Sequence, residues 1–252
     1  VTWRKTYDGG EPQRVNKWLA GEGVCSRREA EELIAQGAVR IDGERVDDPG
    51  RKIAPGQTLE VANARAAPRI SAVLNKPVGV VSAQPEGNQI PAARLLTRAN
   101  LIGQAPALPA KHMRLPPLGR LDQDSHGLLL LSEDGVLAKA VIGPESKLDK
   151  EYLVRVAGRI DERKLALLRH GLMLDGRKLK PAKVSIVEPQ LLRFVLIEGR
   201  NRQIRRMCEL IELEVTDLKR IRIGPLSLGD LPEGKWRALT NAERDAMVRA
   251  AR

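Results

Sequence analysis

Four consecutive leucines, Leu128–Leu131, run between Gly127 and Ser132. A run so short and so wholly apolar reads as a buried strand, because it has no polar side to turn toward water. Directly ahead of it lies a polar segment bounded by glycines, Gly119-Arg120-Leu121-Asp122-Gln123-Asp124-Ser125-His126-Gly127. A carboxylate in such a turn, mounted on a buried strand, has the setting of an active-site loop. Asp122 is the candidate. The same residues also fit plain turn chemistry, with Asp122 and Asp124 in an Asx turn and Ser125 capping backbone groups.

At 252 residues the chain has room for one large domain and a small companion, and its 42% hydrophobic content can supply a core. No run approaches the roughly 18 apolar residues of a membrane span, and residues 1–13 lack the apolar centre of a signal peptide, so a cytoplasmic protein is expected. Cys25 and Cys208 are far apart, and His112, His126 and His170 are scattered. Neither a disulfide framework nor a metal site is expected from such spacing. His126 lies inside the acidic loop and is either a substrate contact or a solvated loop residue.

Lysine and arginine number 43 against 32 acids, a net charge of +11, which favours a polyanionic partner such as nucleic acid. Residues 1–65 hold eleven basic and eleven acidic side chains, so the whole excess belongs to residues 66–252. Aromatics are scarce at 2%, which argues against a sheet that stacks several bases.

Residues 1–12 show no apolar period and are expected to be a mobile tail. From Gln13, Val15, Trp18 and Leu19 share a helical face, and Ser26-Arg27-Arg28-Glu29 reads as a capping box. The second helix carries Ala30, Leu33 and Ile34 and stops at Gly37. Val39 and Ile41 alternate into Asp42-Gly43, a hairpin signal, and Leu59 and Val61 form another short strand. A domain over 13–62 and a linker over 63–69 follow. Residues 70–252 mix strands and helices, an α+β pattern. A strand is expected near Ile70–Leu74, and a helix around 92–96 within a Pro- and Ala-rich loop insertion from Ser82 to Pro117. Further helices are expected at Val136–Val141 and after Asp161, strands at Tyr152–Val156, Val184–Val187 and Phe194–Ile197, and a last helix capped by Thr240 and Glu243.

Gly-Arg-Leu-Asp at 119–122, with Ser125, Gly127 and Leu128-Leu129-Leu130-Leu131-Ser132-Glu133-Asp134-Gly135, resembles the signature of the RNA pseudouridine synthases, in the ribosomal RNA branch that carries an S4 domain. Three further motifs follow the family's order: Asn75-Lys76-Pro77-Val78-Gly79, Lys150-Glu151-Tyr152-Leu153-Val154 and Gly199-Arg200-Asn201-Arg202-Gln203-Ile204-Arg205-Arg206. Arg-Val-Asn-Lys-Trp-Leu at 14–19 and Gly-Val-Cys-Ser-Arg-Arg-Glu-Ala at 23–30 resemble the S4 RNA-binding module. The resemblance spans 13–240. It implies a small N-terminal S4-like α/β domain and a larger domain built on a mixed, mostly antiparallel sheet.

The resemblance also assigns roles. Asp122 falls on the catalytic carboxylate, Tyr152 on the residue against the target base, and Arg205 on the arginine that pairs with the catalytic Asp. An adjacent guanidinium would favour the ionised carboxylate. Arg120 and Lys76 are expected near the substrate, Lys76 as a support rather than a catalyst. Arg14, Lys17, Arg27, Arg28, Arg202 and Arg206 are expected to contact RNA, although each also fits a solvated charged face. Tyr152 likewise fits a core or rim position. No cofactor is needed for this isomerisation, and a monomer is expected. The sequences Asp-Ser-His-Gly and Lys-Arg-Ile-Arg-Ile, at 124–127 and 219–223, look most like enzymes of large-subunit ribosomal RNA, with transfer RNA as an alternative. The insertion and Leu118, where valine is usual, depart from the pattern and leave the target uridine open. Two rivals remain: a non-catalytic S4-type RNA-binding or assembly factor, and a glycoside or nucleoside hydrolase with Asp124 as a second carboxylate.

Overall fold

A computed structural model describes residues 2–22, 24–25, 27–62, 70–109, 115–170 and 172–251. Ser26 of the expected capping box, the expected linker at 63–69, and Lys111 and Arg114 of the insertion lie outside the described residues. The chain divides into two units, Val1–Arg69 with Glu133–Lys139, and Ile70–Ser132 with Ala140–Arg252.

The first elements are β1 (Trp3–Thr6), β2 (Gln13–Arg14), α1 (Val15–Gly21), α2 (Arg27–Ala35), β3 (Val39–Ile41), β4 (Glu44–Arg45), β5 (Lys52–Ile53) and β6 (Thr58–Val61). Strands β1, β6, β3 and β4 form one antiparallel sheet in that order, and β2 pairs with β5. Val15, Trp18 and Leu19 of α1 and Ala30, Leu33 and Ile34 of α2 share a core with Val39, Ile41, Leu59 and Val61. The β3–β4 turn takes Asp42 at φ 50° and Gly43 at φ 86°, both in the left-handed region that a two-residue hairpin of this kind requires.

The tail expected over 1–12 is corrected by β1, which pairs along β6 from Trp3 opposite Val61 to Thr6 opposite Thr58. Trp3 and Tyr7 pack edge-on against Trp18, with ring centroids 5.6 and 5.1 Å away. A strand of four residues is too short to show a period. The open edge of β6 and the apolar surface of Trp18 are what order it.

The remaining elements are β7 (Ser71–Lys76), β8 (His126–Ser132), α3 (Gly135–Ile142), β9 (Lys150–Ala157), α4 (Glu162–Arg169), β10 (Met173–Leu174), β11 (Arg177–Lys178), β12 (Lys183–Glu188), β13 (Leu191–Leu196), α5 (Gln203–Glu209), β14 (Glu214–Ile223), β15 (Leu226–Ser227), β16 (Trp236–Ala238) and α6 (Asn241–Ala250). One sheet takes the order β12-β13-β9-β14-β8-β7-β16, with β15 on β14. Among the described strands, β8 and β14 are its one parallel pair. Leu128–Leu131 lie fully buried on β8, with β14 and β7 on either side. Leu129 and Leu131 join Leu74, Leu121 and Trp236 in one core, and the strand's alternation turns Leu128 and Leu130 to the other face.

Asp161 caps α4, and Thr240 and Glu243 form the capping box of α6. The helix expected over 92–96 is a single 3-10 turn, Ala92–Leu95, because so few residues do not repay helix nucleation. The ten-residue strand β14 has no counterpart in the sequence reading, because Asp217, Lys219, Arg220 and Arg222 break its apolar pattern. Both cysteines are buried and form no disulfide, and among the described residues no helix is long and apolar enough to cross a membrane.

Candidate active site

The acidic loop is shaped by the strands beneath it. Gly127 has φ +100°, and a Cβ there would stand 2.3 Å from the Arg220 carbonyl oxygen and 2.9 Å from its nitrogen. The parallel pairing of Gly127 with Arg220 therefore needs glycine, since no side chain fits between the two backbones. The Ser82 hydroxyl donates to the Leu121 carbonyl at 2.6 Å and accepts from the Leu121 N–H at 2.8 Å. The Gly79 N–H donates to the Gln123 carbonyl at 2.8 Å, which ties the Lys-Pro segment to the loop. The Ser125 N–H closes a backbone turn on the Asp122 carbonyl at 3.1 Å.

Arg220 pins both ends of this loop. Its side chain is 1% exposed. Nε donates to the Leu128 carbonyl at 2.8 Å, Nη2 to the Gly119 carbonyl at 3.0 Å, and Nη1 to the Arg120 carbonyl at 3.4 Å. The sequence reading assigned Arg220 no role. Its signal was present in Lys-Arg-Ile-Arg-Ile at 219–223, where an arginine among strand residues needs a partner, but the partner lies about a hundred residues away in the chain.

A cavity of about 430 Å³ opens beside the loop, lined by Arg120, Asp122, Tyr152, Arg202, Arg205 and Arg220, among others. That volume is in the range of small-molecule pockets, roughly 300–1,000 Å³. Tyr152 sits on β9, between Phe194 of β13 and Arg220 of β14, and is partly buried. Ile142 and Ile197, both half-exposed, also border the cavity. Asp122, Tyr152, Arg120, Arg202 and Arg205 are thus brought together.

The ion pairing differs from the expected one. Arg202, not Arg205, approaches Asp122, with Nη1 3.5 Å from Oδ2. Arg202 also makes a two-pronged contact with Asp124, at 3.2 and 3.0 Å. Arg205 Nε lies 3.3 Å from Asp124 Oδ2, while its Nη atoms donate to the carbonyls of Asp124 at 2.8 Å and Val215 at 3.0 Å. The reason is position on the helix. Arg205 lies within α5 and is buried with Ile204, Met207 and Cys208, so its head is held under the loop. Arg202 caps that helix from a left-handed conformation, φ 48°, and stays at the surface. Arg205, expected as the partner of Asp122, is therefore turned inward beneath the loop.

The charges reshape several ionisations. Burial pushes the Asp124 carboxyl up, but the hydrogen bond from Arg202 and the charges of Arg205 and Arg202 outweigh it and leave the group below its ordinary value. Burial lowers Lys76 to about 8, against the opposing pull of Asp124, Asp122 and Glu233. Lys150, at the cavity, is lowered by burial and by the charge of Arg220.

Other expected residues lie elsewhere. Lys76 is fully buried and spends its Nζ on the carbonyls of Pro77 at 2.8 Å and Val80 at 2.6 Å, so the expected place beside the substrate is corrected, and it acts from beneath the loop as a support. Arg206 is absent from the cavity wall and makes a two-pronged pair with Asp175 at 2.6 and 3.0 Å, which engages the donors expected for RNA. His126 is mostly buried, with Nε2 2.9 Å from Asp217. In the first unit, Arg14, Lys17, Arg27 and Arg28 are exposed.

Comparison with known proteins agrees with this architecture. Residues 71–210 match the model of the RNA pseudouridylate synthase family, and residues 13–59 match the S4 domain. The chain is 37% identical over 235 residues to the dual-specificity RNA pseudouridine synthase RluF of Escherichia coli, covering 91% of this chain and 76% of that one. It is 35% identical to the ribosomal large subunit pseudouridine synthase B of Bacillus subtilis, covering 92% and 93% of the two chains. A crystal structure of a pseudouridylate synthase superposes with a TM-score of 0.63 at 28% identity, over 93% of this chain and 99% of that one. An S4 module joined to an α+β unit with an acidic, arginine-lined cleft defines an RNA-modifying isomerase. The chain belongs to the RNA pseudouridylate synthase family.

Proposed function

We propose that the protein converts a uridine of large-subunit ribosomal RNA to pseudouridine, with Asp122 as the essential carboxylate. The N1–C1′ glycosidic bond breaks, the uracil turns while held, and C5 bonds to C1′. The hydrogen on C5 leaves as a proton and N1 regains one, so the atoms balance without a cofactor. Tyr152 lies against the extruded base, where its ring can stack on the uracil face and its hydroxyl can reach C5. Arg120 and Arg202 hold the flipped nucleotide's surroundings. A paired uridine cannot reach a carboxylate in such a cleft without leaving its stack, so base flipping accompanies the reaction.

The observation that carries this reading is the meeting of Asp122, Tyr152, Arg120, Arg202 and Arg205, from three separate motifs, around one cavity of about 430 Å³. The choice of ribosomal RNA draws on the Bacillus subtilis relative, which is named for the large subunit. In the S4 module, Arg14, Lys17, Arg27 and Arg28 are exposed and engage no carboxylate among the described residues, whereas Arg4 and Lys5 are paired with Glu60 and Glu22. Unpaired cations suit phosphate contact. We take the protein to act as a monomer in the cytoplasm.

Asp122→Asn tests the assignment. With a large-subunit ribosomal RNA transcript tritiated at uridine C5, the wild type releases tritium, and the variant is expected to release none above background while RNA affinity stays within about threefold. Tritium release at the wild-type rate from the variant would refute it. Free uracil in the product would instead favour the hydrolase rival.

A further inference from the structure

A second recess opens on the same loop. The main cavity takes Asp122 into its wall, and a cleft of about 380 Å³ takes the next two residues, Gln123 and Asp124, together with Val78 and Gly79 of the Lys-Pro segment. Arg202 borders both, so the two recesses share a wall. A strand of RNA with one base lodged in the main cavity therefore brings the adjoining nucleotide to the mouth of the second.

An unstacked base needs a face to lie on and an in-plane hydrogen-bonding partner. Val78 is 55% exposed, and Arg202 offers the plane of its guanidinium, whose edge is spent on Asp124 at 3.2 and 3.0 Å. Gln123 is exposed, yet its carboxamide is fixed. Nε2 donates to the Gly79 carbonyl at 3.1 Å, and Oε1 accepts from Gln89 Nε2 at 3.2 Å. Gln89 is oriented in turn by the Glu86 N–H, which donates to its Oε1 at 2.9 Å. A carbonyl can only accept and an N–H can only donate, so these two ends set the orientation of both amides. Beyond these bonds the Gln123 amide keeps one N–H and one lone pair, a donor and an acceptor on one held group. Holding a surface glutamine still costs rotamer freedom, and a group fixed in advance binds its ligand without that cost.

We propose that this cleft receives the base of the nucleotide adjoining the target uridine, and that Gln123 reads the identity of that base. This rests on the reading of the main cavity given above. The two recesses then divide the work: one takes the uridine to be isomerised, and the other selects its sequence context. Val78 and the guanidinium plane of Arg202 supply contact that every base can use, whereas the Gln123 amide distinguishes bases by the donors and acceptors on their edges.

The test uses large-subunit ribosomal RNA transcripts tritiated at C5 of the target uridine alone, with each of its two neighbours set in turn to A, C, G and U. At one of the two positions the wild type is expected to prefer its best base over its poorest by about tenfold or more in kcat/KM, read by tritium release. Gln123→Ala is expected to reduce that preference to less than about threefold. The substitution also removes a tie to the Lys-Pro segment, so the ratio between transcripts is the readout; a merely structural role slows all of them alike. Val78→Ser is expected to raise KM by about threefold on every transcript and to leave the preference in place. Equal rates with all four bases at both positions, a Gln123→Ala variant that keeps the wild-type preference, or a Val78→Ser variant with unchanged KM would each overturn the proposal. If the wild type releases no tritium from any transcript, the reading of the main cavity fails and takes this one with it; if it releases tritium and Gln123→Ala keeps the preference, only the role of the cleft fails.

Discussion

Replacing Arg220 by methionine tests how the loop is held. Methionine keeps an unbranched apolar stem but removes the guanidinium, leaving the carbonyls of Leu128 and Gly119 without their donors at 2.8 and 3.0 Å. The third contact, to Arg120 at 3.4 Å, is too long to count for much. Hydrogen bonds from charged donors are worth about 1.5–3 kcal/mol each, so the two lost bonds amount to roughly 3–6 kcal/mol. Removing a buried cation offsets part of this, because its desolvation is relieved. A net loss of about 2–4 kcal/mol is expected, which for a chain of this size lowers Tm by about 5–15 °C. The loop that carries Asp122 loosens at both ends, so kcat should fall more than KM rises. Thermal melts, urea titrations and tritium release measure the three effects. Arg220→Lys, which can serve fewer of the carbonyls, should fall between. An Arg220→Met protein that melts within about 2 °C of wild type and keeps its rate would refute the reasoning.

Gly127→Ala should cost about 2–5 kcal/mol in urea titrations, since the new methyl group meets the Arg220 backbone at a left-handed φ; an unchanged midpoint would contradict the close strand approach. Lys76, lowered to about 8 from 10.5, binds fewer protons folded than unfolded between those values, so the stability it contributes rises with pH across that window. The stability difference between wild type and Lys76→Met should accordingly grow by about 1–3 kcal/mol from pH 8 to 10.5, and a flat difference would show that the buried ammonium is not destabilised. Removing both charges in Arg27→Gln/Arg28→Gln should weaken RNA binding and reduce the log–log salt slope by about 1–2, measured by titrating RNA at several salt concentrations.

Much of the architecture was legible in the chain. The α1 and α2 faces, the Asp42-Gly43 hairpin, the leucine strand and the Thr240 cap all depend on residues within a few positions of one another, and local spacing reports local structure directly. The acidic loop was visible as well, because a carboxylate before a buried strand is a sequence-local pattern. What local spacing could not supply was the partner of each charge. Asp122 and Asp124 are two residues apart and chemically alike, and so are the arginines at 202 and 205 in type. Which of them meet is decided by the path of α5: one arginine is turned under the loop and the other is left at its rim. Arg220 and β14 were hidden for the same reason. Charged residues in a strand look exposed until the fold brings carbonyls 92 to 101 residues away around a buried guanidinium, and a cation can be buried only where such distant acceptors converge.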